Sequence, residues 1–166
     1  RGEEDIPFSS TKVAWHLIDY LDGIDTMNRE HFPIEMPPYT VHGIDVYDLL
    51  AEYYQQYDCD KSFMLINNIY CFYEHKQHLW DKFRYMRDRH KFNYDHNMDA
   101  QMEEVVSQAR VILNLMLKIE QRRKMQLSVS LDADRMIQRL TTLKEQEFHT
   151  LQEILDRMLS PSGFRE

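Results

Sequence analysis

Residues Asp60–Lys91 read DKSFMLINNIYCFYEHKQHLWDKFRYMRDRHK. Within them Leu65, Ile69, Phe72, Lys76, Leu79, Phe83, Met86 and His90 alternate steps of four and three, the spacing of one face of an α-helix. The pattern predicts a helix over 61–91 of about eight turns, apolar along its seam except at Lys76 and His90. Phe72 and Leu79, in mid-seam, are expected in the core. A second stripe, Ile66, Tyr73 and Trp80, runs beside the first, so the apolar face is wide and needs several partner helices to cover it.

Two such partners follow. Met102, Val105, Ala109, Ile112, Met116 and Ile119 repeat the three-four spacing and predict a helix over 98–127. The preceding Phe92-Asn93-Tyr94-Asp95-His96-Asn97 is a turn rich in capping residues. Ser128-Val129-Ser130 reads as a tight turn with Ser130 as N-cap and Asp132 and Asp134 in the first turn. A third helix, 131–159, then packs through Met136, Leu140, Leu143, Phe148, Leu151, Leu155 and Met158. The five-residue step from Leu143 to Phe148 reads as a register slip. Ser160-Pro161-Ser162-Gly163 ends that helix and begins a mobile tail. The expected fold is therefore all-α, with three long antiparallel helices, each about 45 Å long, in an up-down-up bundle over 60–160.

Upstream, Ser9 or Ser10 caps a helix over 11–22 that Gly23 ends, and Asp25 caps a single turn running to Phe32. Ile44, Tyr47, Leu50, Ala51, Tyr54 and Tyr57 form the buried stripe of a helix over 44–57. These shorter helices are expected to cover the surplus face of 61–91. Between them Pro33-Ile34-Glu35-Met36-Pro37-Pro38-Tyr39 opens a Pro-rich connector, 33–43, that forbids regular helix. Ile34, Met36 and Tyr39 are too apolar for a bare linker; they are expected either along a groove of the body or against a partner protein.

The 166 residues suit a single domain, and 43% hydrophobic with 12% aromatic residues can fill its core. The net charge of −8 is uneven. Residues 1–60 carry three Lys/Arg against thirteen Asp/Glu, net −10, whereas 61–166 carry seventeen against fifteen, net +2. An acidic arm, 1–58, is thus expected to dock on a neutral-to-basic body partly through charge. No apolar run approaches the roughly 18–20 residues of a membrane helix, so no membrane association is expected. Arg1-Gly2-Glu3-Glu4-Asp5 has no apolar signal-peptide region, and the chain reads as a fragment or processed form. On a helix Cys59 and Cys71 stand roughly 18 Å apart, too far for a disulfide. With no Asn-x-Ser/Thr sequon present, a cytoplasmic or nuclear setting is expected.

Chemistry is sparse. Glu74, His78 and Asp81 share a helix face and could hold a metal, but Glu-x-x-His pairs on facing helices are absent, and a solvated polar face is the plainer reading. No glycine-rich phosphate loop, Gly-x-Ser-x-Gly or His-Glu-x-x-His occurs, so no catalytic residue, cofactor or metal is assigned. Arg122-Arg123-Lys124 suits a helix C-terminus better than a nuclear localisation signal, and Leu151-Gln152-Glu153-Ile154-Leu155 has the spacing of a docking helix or of any amphipathic one. Lys82, Arg84, Arg87, Arg89 and Lys91, interleaved with aromatics, suit an acidic protein surface. Nucleic acid or a phosphate ligand is the alternative. The expected function is a non-enzymatic helical protein–protein interaction module, a coiled-coil-like scaffold or complex subunit. Its partners are other proteins, met through Ile34, Met36, Tyr39 and those five cations. A secreted helical cytokine is a further alternative.

Overall fold

A computed structural model describes residues 8–29, 40–55 and 62–164, with the backbone alone for 28–29 and 62–65. Six α-helices are present among the described residues: α1 (Ser10–Leu21), α2 (Thr26–Arg29), α3 (Val46–Gln55), α4 (Ser62–His90), α5 (His96–Lys124) and α6 (Ser130–Leu159). A 3-10 turn, Gly43–Asp45, leads into α3. The fold is all-α, as the periodicity predicted. Ile34, Met36, Tyr39, Tyr57, Cys59 and Asp60 lie outside the described residues.

α4 packs on α5, α5 on α6, and α6 on both α1 and α3. α1 and α3 thus share the fourth corner of the bundle, α1 over one half and α3 over the other. One core cluster joins Ala14, Leu17 and Leu21 of α1 to Phe83, Met86, Met98, Met102 and Leu151. The other joins Tyr47, Leu50 and Tyr54 of α3 to Ile69, Phe72, Ile112, Met116, Met136 and Leu140. The two half-helices meet at Gly43, whose φ of 57° is in the left-handed region. A Cβ there would stand 2.0 Å from the Tyr20 carbonyl oxygen, so glycine permits the close approach of the two segments.

The local signals explain most boundaries. Ser9 Oγ accepts the Lys12 N–H at 3.2 Å and Asp95 Oδ1 accepts the Met98 N–H at 3.0 Å, capping α1 and α5. The end of α5 departs from expectation. The helix stops at Lys124, Gln126 turns left-handed (φ 56°), and the Leu127 N–H reaches back to the Arg122 carbonyl at 3.0 Å. With Gln126 N–H on the Arg123 carbonyl at 2.8 Å, this is a Schellman turn whose left-handed position is not glycine. Gln126→Gly is expected to raise stability by roughly 0.5–1 kcal/mol, read as a higher denaturation midpoint at unchanged slope. Ser130 is the first residue of α6 and not its cap; Val129 precedes it and offers no capping side chain.

The register slip in α6 does not exist. Phe148 is 38% exposed, and the buried sequence runs Met136, Leu140, Leu143, Glu147, Thr150, Leu151, Ile154, Met158. Glu147 holds the seam position that apolar counting gave to its neighbour. Leu151, Ile154 and Leu155 are buried in the same core, so the Leu-rich segment has no face free for docking. Nor is the stretch after α6 a free tail as far as Phe164. Gly163 accepts the Asn93 N–H at 2.8 Å, and Phe164 packs on Phe92 with ring centres 5.2 Å apart.

Candidate functional site

The seam of α4 carries a buried Lys76 and that of α6 a buried Glu147, and the fold brings these two together. Lys76, 2% exposed, meets Glu147, 0% exposed, with Nζ 2.8 Å from Oε2. Tyr47 Oη donates to the same oxygen at 2.7 Å and Tyr20 Oη at 3.1 Å. Tyr20 Oη in turn accepts from Lys76 Nζ. A single carboxylate oxygen thus collects donors from α1, α3 and α4, at the level where α1 hands over to α3. The Lys76 ammonium also lies 4.6 Å from the ring centre of Phe72 and 4.9 Å from that of Tyr47. Glu147 Oε1 has no hydrogen-bond partner among the described residues.

Electrostatics follow from this burial. Desolvation raises the Tyr20 and Tyr47 pKa values well above 10.0, and the negative Glu147 beside them adds to the effect. Desolvation lowers that of Lys76, against the opposing pull of Glu147. The signs can be worked out. An acid whose folded pKa is raised stabilises below its unfolded pKa, so the two tyrosines lose stability as pH climbs past about 10. Lysine with a depressed folded pKa acts oppositely, and its penalty fades as pH approaches 10.5. Above about 10.5 the lysine contribution is spent and that of the tyrosines remains. Denaturant midpoints should fall steeply above about pH 10, and Tyr47→Phe should flatten that fall. An equal fall in the variant would remove Tyr47 from the account.

The cluster borders the least sealed side of the bundle. Between α4 and the α1–α3 side run two clefts that share Tyr20, Gly43 and His75. The first, about 290 Å³, is lined by His16, Leu17, His42, Lys82 and Phe83 among others. The second, about 490 Å³, is lined by Val46, Leu49 and Leu50 of α3, by Asn68, Cys71 and Phe72 of α4, and by Thr40 and Val41 among others. Tyr20 and His75 stack between them at 5.3 Å.

The five cations expected to act together are split. Arg84 lies over the Trp80 ring at 5.1 Å, and Arg87 reaches Asp88 at 2.8 Å and Asp99 at 3.7 Å, on the α5 side. Lys82 lines the first cleft on the opposite side. Lys91 takes the left-handed turn after α4 (φ 54°). Asp48 of the acidic arm pairs with Lys144 of α6, at 2.6 Å. Within the described residues the arm also docks through the apolar faces of α1 and α3 and through the Glu147 cluster. Arg122 and Arg123 serve locally, on Asp132 at 3.6 Å and Glu120 at 3.0 Å.

Among the described residues no three His, Cys, Asp or Glu side chains gather as a metal site, and Glu74, His78 and Asp81 do not converge. No helix is long and apolar enough to cross a membrane. Sequence reasoning placed Tyr47 in a buried stripe but missed Glu147, Tyr20 and the convergence of the three. The one signal available was the charged Lys76 at a seam position, which demands a buried partner. Compared with protein-family models, characterised proteins and solved structures, the chain matches none.

Proposed function

We propose that the chain is a non-enzymatic helical protein–protein interaction module, working as a subunit or fragment of a larger assembly. One observation carries the proposal. Three of the large apolar side chains left exposed fall together at the α5–α6 turn: Met125 is 61% exposed, Leu131 62%, and Leu127 between them is exposed as well. Leu117, two turns back on α5, is also exposed. None of the four belongs to either core cluster, and an apolar patch rimmed by polar groups is how a protein-binding surface is built. The flanking Lys118 and Arg122 pair with Asp132, at 2.8 and 3.6 Å.

The double variant Met125→Glu/Leu131→Glu tests this. Both side chains are solvent-facing, so unfolding midpoints should move by no more than about 0.5 kcal/mol per site. Affinity capture from a cell lysate, quantified by mass spectrometry against the unaltered chain, should show the captured set fall by roughly tenfold or more. Capture unchanged by the double variant would overturn the assignment of this end.

The nucleic-acid alternative draws its support from Lys82, Arg89 and Lys91, exposed and in no ion pair among the described residues. It requires oligonucleotide binding that weakens steeply with salt and is lost on reversing those three charges.

A further inference from the structure

We infer that the cleft between α3 and α4 is a binding site for a small, uncharged, largely apolar molecule carrying one hydrogen-bond acceptor such as a carbonyl. Val46, Leu49 and Leu50 of α3 and Phe72 of α4 supply apolar walls, and the space of about 490 Å³ is in the range of small-molecule sites. Lys76 and Tyr20 form part of the lining. A cleft with apolar walls and a few fixed polar groups selects shape first and one polar contact second.

The polar contact follows from counting donors. The ammonium of Lys76 has three N–H groups. Glu147 Oε2 and Tyr20 Oη take two of them. The third has no oxygen partner among the described residues, and Lys76 lines the cleft with its ammonium 4.6–5.0 Å from the ring centres of Tyr20, Tyr47 and Phe72. An acceptor on a ligand satisfies it. A carboxylate or phosphate is disfavoured there, because Glu147 already balances the lysine and lies 2.8 Å from it. A cationic ligand is repelled by the Lys76 ammonium in the lining. The class that remains is neutral, apolar and an acceptor. The surface proposed above for protein partners lies elsewhere, so the two ideas stand or fall separately.

Two residues at the cleft allow a test without disturbing the core. Asn68 and Cys71 both line it and both are exposed. The probe is an uncharged solvatochromic naphthyl ketone dye, titrated into the whole chain carrying Cys59→Ser so that Cys71 is the single thiol. Saturable one-to-one binding with blue-shifted emission is expected, and bound dye should slow alkylation of Cys71 by N-ethylmaleimide several-fold. Asn68→Trp, which puts bulk in the cleft, should weaken the dye roughly tenfold or more, while Asp134→Trp on the exposed face of α6 should not. The matching naphthyl hydrocarbon without the ketone should bind roughly tenfold more weakly, the scale of one hydrogen bond to a charged donor. No saturable binding, or binding indifferent to Asn68→Trp, overturns the site. Equal affinity for ketone and hydrocarbon overturns the role of Lys76.

Discussion

Lys76→Met by itself is expected to destabilise the protein by about 3–5 kcal/mol, and Glu147→Leu by a similar amount. The reason is the partner each change leaves behind. With methionine at 76, a carboxylate that is 0% exposed has lost its counter-ion. With leucine at 147, an ammonium buried among three aromatic rings has lost its charge partner, and two tyrosine hydroxyls have lost their acceptor. Removing the whole cluster is another matter. Buried ion pairs contribute little net stability over well-packed apolar residues of similar volume. The triple variant Lys76→Met/Glu147→Leu/Tyr47→Phe should therefore return to within about 1–2 kcal/mol of the unaltered protein in urea unfolding. Tyr20 can stay in that variant, because it is only partly buried and borders both clefts. If the triple variant is as unstable as the singles, mutual pairing is not what makes the singles costly, and this account of the cluster fails.

Phe72→Ala is expected to cost about 3–5 kcal/mol, and Leu79→Ala distinctly less. Sequence periodicity ranks the two positions alike. Phe72 is buried, stands edge-on to Tyr47 with ring centres 4.9 Å apart, and covers the Lys76 ammonium. Its loss removes core volume, an aromatic pair and part of the lysine's surroundings together. Leu79 is only partly buried, at the edge of the first cleft, where neighbours can relax and water can enter. Comparison of the two denaturation curves checks the ranking. Equal losses would mean that the α4–α1 side is closed more tightly than the clefts indicate.

That contrast marks how far one-dimensional information reaches. The seam from Ile69 to Met86 was legible because helical periodicity is a property of neighbouring residues, and any helix must bury its apolar side. The caps were legible in outline for the same reason, Ser9 as one of two serines and Asp95 within a turn rich in capping residues: a cap satisfies backbone groups two or three residues away. The end of α5 at Lys124 was not, since Gln126 takes a left-handed turn that usually advertises itself with glycine. The basic residues from Lys82 to Lys91 looked like one patch because they are close in sequence. On a helix they point in different directions, and Trp80, Asp99 and the first cleft each claim some of them.

The centre of the molecule was decided by tertiary structure alone. Counting apolar residues passes over a core position held by a charge, so Glu147 looked like a surface residue and Phe148 like its buried replacement. Only when α4 and α6 are set in the same bundle does Lys76 find Glu147, and only then do Tyr20 and Tyr47, from two separate half-helices, converge on the same oxygen. Sequence by itself determined that this chain forms long amphipathic helices packed as a bundle, because that follows from local spacing and the cost of exposing apolar surface. Which polar groups could be buried, and therefore where the fourth corner is stitched together and left partly open, depended on partners distant in the chain. The desolvation of a charge is tolerated only where the fold delivers its counterpart.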